Sequence, residues 1–503
     1  MTSSKSNPAQ IFPGRGVGFL TLGASLHNVL TRLKALPQLY PTIDLSYSAS
    51  EPLHKPVLID LPENGIRLRF DGPDQRLRLI EVRDFSKTPL MYKGIDVVKG
   101  VGSADDPPSQ GPAFRHIYNR LFGPSYPGEY LSPTAGETHG TYILSYPGVA
   151  FSFPLLHSSY SKEQRDFVSV MSSSAASPAT SMSVFQGSSW SDARSGLYTR
   201  QPQYPRSTAL VGKNRDSVAD EIENVIVHGG GRLELRRRSR PSFWIMLSET
   251  TPQDLIAELG PPDAIYRKND RRILIHGQST ASEADVHPVV QSGCDQIDLG
   301  HASANSTSED SDEDASPRPS TRTAECFYNY FNHGFDVLIS YPTTPGPPFP
   351  GSESPGSLPA SSSRKLTVTK LLLHGNVPGS YPFNRHRRSR WVIQIDPQGE
   401  PLTSETAYPQ ISDRLKRIWK SSDDSSPEQS SLQKAMVLNR GWGNSPGSSV
   451  ELLGGWEENA ESEQWPSAAG NGVESLGNTE LFGFPGLLFE VLKNGAVSCL
   501  TVY

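Results

Sequence analysis

Two sets of residues in this sequence have the types and spacing that chemistry needs, and they point to different functions. His228-Gly229-Gly230-Gly231 has the form of an esterase oxyanion loop, and Gly443-Asn444-Ser445-Pro446-Gly447 fits the glycine-x-serine-x-glycine of a nucleophile elbow. Such a serine works only on a strained turn from a strand into a helix. Ser445 is followed by Pro446, Gly447 and further serines, so no helix is expected after it, and a serine hydrolase stays a remote alternative. The second set is basic. Arg236-Arg237-Arg238-Ser239-Arg240 runs into Phe243-Trp244, and Arg385-His386-Arg387-Arg388-Ser389-Arg390 runs into Trp391. Guanidinium forks grip phosphate or carboxylate, and a neighbouring tryptophan can enter a membrane interface or stack on a base.

The basic stretches admit three readings: solvated strand ends that offset acidic segments, a contact for anionic lipid or an acidic protein surface, or a nucleic-acid contact. The residues that would carry the second reading are Arg236, Arg237, Arg238, Arg240 and Trp244, with Arg385, Arg387, Arg388, Arg390 and Trp391. Other chemistry is harder to assemble. Gly14-Arg15-Gly16-Val17-Gly18 lacks the spacing, the preceding strand and the lysine of a phosphate loop. H-E-x-x-H and C-x-x-C are absent, and His27, His116, His276 and His374 read as core-edge residues. No catalytic, cofactor or metal site is therefore expected. The acidic, serine-rich segment 302–322, with Ser316-Pro317, is either a phosphorylation target or a solvated linker.

Composition narrows the classes further. The chain has 503 residues and a formal net charge of −6, too small for bulk attraction to nucleic acid or membranes. Its hydrophobic content is 35%, with 43 glycines and 43 prolines, which suits ordered modules separated by polar insertions. Three cysteines, at 294, 326 and 499, give neither a metal knuckle nor a disulfide framework, so a reducing compartment is expected. The N-terminal residues lack a signal-peptide core, and no apolar run approaches the roughly 18–20 residues that span a bilayer.

The elements that must position these side chains follow one recurring pattern. Gly65-Ile66-Arg67-Leu68-Arg69-Phe70 is a glycine followed by apolar residues at alternate positions, and the register returns at Gly148–Phe153, Gly334–Ile339 and Gly486–Val491. Alternation puts apolar residues on one face of a strand, and the glycine suits a reversal just before it. Each copy reads as the second strand of a hairpin. Amphipathic helices lie upstream, at Leu26–Leu33, Phe114–Leu121, Leu255–Leu259 and Leu415–Trp419. The fold expected is α+β: repeated modules of one helix packed on a small antiparallel sheet, with long disordered insertions. The expected layout is a disordered lead at 1–15 and modules at 16–98, 111–247, 248–395 and 396–503. Ser-rich segment 158–207 is read as a mobile insertion in the second module, 278–323 and 341–363 as disordered insertions in the third, and 440–478 in the fourth.

Several dispersed blocks resemble the phagosome assembly factor family. They include Thr251–Pro262, Cys326–Leu338, Leu488–Tyr503, Gly65–Asp71 with Gln75–Val82, and His374–Asn384. The resemblance spans about 18–503 in order, interrupted by the polar insertions. It implies a non-enzymatic autophagy scaffold that partners a WD-repeat β-propeller protein. It further implies a cytoplasmic chain recruited to the phagophore, or preautophagosomal, membrane, with any phosphoinositide contact made through the complex. Direct phosphoinositide binding as a peripheral membrane protein is the alternative, and no nucleic-acid partner is expected. The family brings no catalytic residue to carry over.

Overall fold

The computed structural model describes residues 8–98, 111–134, 136–161, 166–200, 202, 221–267, 325–342, 365–395, 400–420, 435–439 and 478–503. The first part opens with a short meander, β1 (Ala9–Phe12), β2 (Gly16–Val17) and β3 (Leu20–Thr21), then helix α1 (Leu26–Lys34). A four-strand meander follows: β4 (Asp44–Ser46), β5 (Val57–Leu61), β6 (Ile66–Phe70) and β7 (Leu77–Val82). The chain returns through β8 (Leu90–Tyr92), parallel to β1, and β9 (Ile95–Asp96). Helix α2 (Phe114–His116) runs on as a π-helical turn, Ile117–Leu121. A second meander consists of β10 (Glu129–Leu131), β11 (His139–Tyr146), β12 (Val149–Leu156) and, after helix α3 (Phe167–Met171), β13 (Ser181–Phe185). Helix α4 (Trp190–Ser195) closes this half.

The second part repeats the order. It has a meander β14 (Ile222–His228), β15 (Arg232–Arg237) and β16 (Phe243–Met246), then helix α5 (Pro252–Leu259). The next meander is β17 (Ala264–Arg267), β18 (Cys326–Tyr330), β19 (Phe335–Ser340) and β20 (Thr367–His374). A return through β21 (Trp391–Gln394), parallel to β14, and β22 (Leu402–Thr403) leads to helix α6 (Tyr408–Lys420). The last meander is β23 (Met436–Asn439), β24 (Asn478–Phe484), β25 (Leu487–Leu492) and β26 (Val497–Val502).

In each half the two four-strand meanders join through their last strands, β7 to β13 and β20 to β26, giving two eight-stranded sheets. The remaining strands make two five-stranded sheets, β3-β2-β1-β8-β9 and β16-β15-β14-β21-β22. The glycine pattern marks the middle hairpin of each meander: Gly65, Gly148, Gly334 and Gly486 all have positive φ, between 65° and 85°. Alternation does the rest. In β6, Ile66, Leu68 and Phe70 are buried, while Arg67 and Arg69 face the other side and bind Asp60 and Glu81 at 2.6 and 2.7 Å. Each buried apolar side chain of this kind is worth about 1.5–3 kcal/mol before entropy.

Helices α1 and α5 each fill one face of their half, while Ala193 of α4 packs with Leu79, Ile143 and Ala150 on the opposite face. Ser25 caps α1 by accepting from the Asn28 amide, and its Leu26, Val29, Leu30 and Leu33 join a core shared with both sheets of that half. In the second half Thr251 and Asp254 form a capping box with Pro252 in the first turn, and Leu255 and Leu259 enter the equivalent core. A small cluster of Leu53, Val377 and Leu492 joins the halves.

Several expectations need correction. Among the described residues strand outweighs helix, and the meanders do not form the small sheets of separate helix-on-sheet modules: they fuse in pairs, because the last strand of each finds a partner for its backbone in the other. The fold class of repeated α+β modules is therefore wrong. The lead expected over 1–15 contains β1, which pairs with both β2 and β8. The serine-rich segment 158–207 contains α3, α4 and β13, a central strand, since alternation in Ser181–Phe185 buries Met182 and Val184 behind small polar residues. The end of the expected second module, 111–247, contains β14, β15 and β16, which form a sheet with the second half: β15 lies between β14 and β16, and β14 pairs with β21. The insertions at 278–323, 341–363 and 440–478 lie almost entirely outside the described residues.

Candidate functional site

The β6–β7 turn of the first half and the β20–β21 connection of the second half meet at a polar seam. Asp71 anchors the turn, accepting the Asp74 amide at 2.6 Å and the guanidinium of Arg78. Gln75 stands in the turn with φ 50° and only 1% exposed. Asn376, with φ 44°, faces it across the seam. Gln75 Nε2 donates to the Asn376 carbonyl, and Asn376 Nδ2 donates to Gln75 Oε1, both at 2.8 Å. Left-handed backbone in two non-glycine residues costs about 1–2 kcal/mol each and is held here by that reciprocal amide pair. Nearby, the Asn384 carbonyl lies 3.0 Å from His27 Nδ1 on α1, and Phe383 packs on the first half's core.

This seam gathers arginines. Arg76 comes from the turn, Arg236 and Arg238 from the end of β15, and Arg387, Arg388 and Arg390 from the long connection; together they line a cavity of about 250 Å³ with Asp74 and Glu223. The floor is buried and structural. Arg388 donates to the Pro73 carbonyl and the Gly375 carbonyl, each at 2.7 Å, and lies 3.3 Å from Glu405. Arg387 donates to the Ile222 carbonyl at 2.6 Å. Glu221 binds Arg76 at 3.0 Å and Arg238 at 2.6 Å. Burial works to raise the Glu221 carboxyl, but Arg387, Arg76 and Arg238 outweigh it and hold it well below the usual carboxylate range. The rim is more open: Arg236 is bound to Glu234 at 3.2 Å, and Arg390 bridges Asp74 at 2.6 Å and Glu405 at 2.9 Å.

Beside the seam, Asp336 on β19 receives His374 Nε2 and His386 Nε2, each at 2.8 Å, and Asn329 Nδ2 at 2.8 Å. Two histidines and a carboxylate within reach of one another suggest a metal centre. The rings are stacked, however, with centroids 3.8 Å apart and planes 15° from parallel. Their Nε2 lone pairs therefore run side by side, and an ion in the plane of one ring lies off the plane of the other. The arrangement fits a carboxylate holding two ring N–H donors. Burial works to lower both imidazoles; the Asp336 charge nevertheless lifts His374, while burial and the neighbouring His374 charge keep His386 low.

Comparison with known proteins places the chain. The sequence profile of phagosome assembly factor 1 matches residues 16–289 and 308–503. The chain belongs to the phagosome assembly factor 1 family. It is 23% identical to a PHAF1 protein of Arabidopsis thaliana, over 98% of this chain and 92% of that protein. It is 22% identical to a PHAF1 protein of Drosophila melanogaster, over 96% and 90%, and 22% identical to one of Caenorhabditis elegans, over 78% of each. No solved structure matches. Family membership supports a phagosome-assembly role, and the description of the family as an assembly factor suggests a non-catalytic one.

Within this family member, the two basic stretches come together, although not as two strips of surface. Arg236, Arg238, Arg387, Arg388 and Arg390 share the cleft. Arg237 instead binds Glu258 on α5 at 2.9 Å, and Arg240 is exposed in the bend after β15. Arg385 is half-buried outside the cleft lining. Trp391 is 1% exposed and packs edge-on against Phe489, so it is a core residue and does not reach a membrane interface; its β-strand alternation with Ile393 is the signal that could have shown this. Trp244, on an edge strand, remains exposed and stacks on His228. His228 is also 3.6 Å from Glu234, and the glycines after it form the β14–β15 hairpin, with Gly230 and Gly231 at positive φ. The segment with the form of an oxyanion loop is thus a hairpin turn, and Ser445 lies outside the described residues. Sequence reading missed Arg76, Asp74 and the Asp336–His374–His386 cluster, whose members lie far apart along the chain. Among the described residues, no helix is long and apolar enough to cross a membrane, and Cys326 and Cys499 are free thiols.

Proposed function

We propose that this protein is a non-enzymatic scaffold in autophagy that forms a complex with a WD-repeat β-propeller protein and is recruited from the cytoplasm to the phagophore membrane. The observation that carries this reading is the family match over nearly the whole chain. The architecture supports it in one respect: each eight-stranded sheet has two end strands, and such edges offer unpaired backbone to an extended segment of a partner. On the end strand β23, Met436 and Val437 are 64% and 59% exposed, and Ile265 on the opposite end strand β17 is 55% exposed. The test is affinity capture of the full chain from native lysate with identification by mass spectrometry, beside a Val437→Lys variant. Enrichment of a WD-repeat protein, weakened in the variant, is expected. Failure to enrich any WD-repeat protein would overturn the partner claim, and a tagged chain that stays diffuse under starvation would overturn the recruitment claim.

A further inference from the structure

We propose that the arginine-lined cleft at the seam is a binding site for a phosphate-bearing anion. Guanidinium groups converge on it from three segments that are distant in sequence: Arg76 from the first half, Arg236 and Arg238 from the end of β15 and the residue after it, and Arg387, Arg388 and Arg390 from the long connection. The lining carries six arginines against Asp74 and Glu223, and adding the bonded Glu221 and Glu405 still leaves cations in excess among the described residues. Those cations repel one another. Burial, together with the charges of Arg76 and Arg238, brings the Arg387 guanidinium down to about 10 despite Glu221 beside it. An added anion relieves that repulsion.

Shape selects the kind of anion. At about 250 Å³ the cavity falls below the roughly 300–1,000 Å³ of pockets for drug-sized ligands, so it suits one phosphorylated group and not a folded surface. Its floor is prearranged, because Arg387 and Arg388 are fixed by backbone carbonyls. Its rim is adaptable: the Arg236 side chain is 55% exposed and bonds Glu234 through Nε, leaving its terminal fork for phosphate oxygens. A guanidinium fork matches a tetrahedral oxyanion better than an ammonium does. The phosphate could belong to a lipid headgroup or to a soluble compound.

The full chain is titrated calorimetrically at low salt with inorganic phosphate and with inositol bisphosphate. In parallel it is floated with phosphatidylcholine vesicles, with and without phosphatidylinositol monophosphate. Arg236→Gln should weaken binding by about tenfold or more, the usual worth of a charge-assisted hydrogen bond. Glu223→Gln, which removes a lining carboxylate, should tighten it. Arg232→Glu, at the other end of the same strand, should change it little. These opposed signs separate a site effect from a folding defect. Binding of the soluble probe and of the doped vesicles assigns a lipid source, and binding of the soluble probe alone assigns a free phosphorylated compound. The proposal falls if no phosphorylated probe binds, if polyglutamate binds where phosphate does not, or if Arg232→Glu weakens binding as much as Arg236→Gln. Capture of the WD-repeat partner by Arg236→Gln is a separate readout, so the two readings fail independently.

Discussion

The two halves of the molecule share one strand order yet differ at the same step. In the first half, residues 83–89 carry the chain from β7 to the strand parallel to β1. In the second half the equivalent step, from β20 to the strand parallel to β14, takes residues 375–390. The short connection stays on its own half. The long one buries His386, Arg387 and Arg388, sends Phe383 onto the other half's core, and meets the β6–β7 turn. The frame is thus symmetric, and the asymmetry in a single connection creates both the seam and the cleft.

The sharpest test of that asymmetry is Arg388→Met. Its guanidinium serves the carbonyls of Pro73, Gly375 and Ser404, and no residue of 83–89 has a comparable role. Breaking a buried, fully bonded charge costs about 3–5 kcal/mol, so urea unfolding should show a loss of that order. A loss below about 1 kcal/mol would mean that the long connection does not hold the halves together.

The four hairpin glycines then rank the repeats. An alanine Cβ at Gly148 would meet the Gly14 amide nitrogen at 2.1 Å, and at Gly334 the Arg387 carbonyl at 2.4 Å. At Gly65 it would meet Asp84 at 2.7 Å, whereas at Gly486 the nearest atom is the Tyr503 carbonyl at 3.4 Å. All four pay the left-handed penalty of about 1–2 kcal/mol, and the crowded sites add about 1–3 more. The expected order of melting temperatures is Gly486→Ala highest, Gly65→Ala next, and Gly334→Ala and Gly148→Ala lowest. Equal losses at all four would mean that the hairpins are interchangeable and that tight packing behind them is not what differs.

How much of this was visible in the sequence divides along the same line. The hairpin glycines, the capped helix at Thr251 and the alternation of Ile66, Leu68 and Phe70 are local, and local pattern exposed them. Pairing between strands is not local. β7 and β13 are about a hundred residues apart, and nothing in either run of side chains says that it joins the other, so separate modules were the natural expectation. The basic stretches stood out by composition, but their split into a buried floor and an open rim depends on Arg76 and Asp74, contributed from the other half. Alternation was readable at Trp391, yet the neighbouring arginines made a surface role seem natural.

Acid should act mainly through the second half and the seam. His333 is pushed down to about 4, first by burial and then by Arg387; His386 is likewise held down to about 4 by burial and by His374. His27, on α1 against Asn384, is lowered by burial. A depressed histidine stays neutral in the fold while the unfolded chain takes the proton. Its contribution is complete above the unfolded value of about 6.5 and is lost as pH falls from there toward about 4. His374, raised in the fold, runs the other way, contributing below about 6.5 and losing that contribution as pH rises toward about 10. Between about pH 6.5 and 5, His333 and His386 should each remove about 2 kcal/mol. His333→Phe should flatten that stretch of the urea-derived stability profile, and an unchanged slope would sink the assignment.

The smallest effect is the most direct measure of contact between the halves. Gln75 and Asn376 lie 301 residues apart, are 1% and 3% exposed, and exchange amide hydrogen bonds at 2.8 Å. Each also occupies left-handed backbone, so replacing either by alanine removes a hydrogen bond and leaves a strained position with less to hold it. A double-mutant cycle of Gln75→Ala and Asn376→Ala isolates their mutual term from those separate costs. A coupling of about 1 kcal/mol is expected, the ordinary net worth of a buried hydrogen bond. Glycine at position 75 supplies a control, since it relieves the backbone strain while still removing the amide. If Gln75→Gly and Gln75→Ala show the same coupling to Asn376→Ala, the side-chain pair carries the contact. If the coupling vanishes with glycine, strain in the turn is what communicates across the seam, and the amide pair only responds to it.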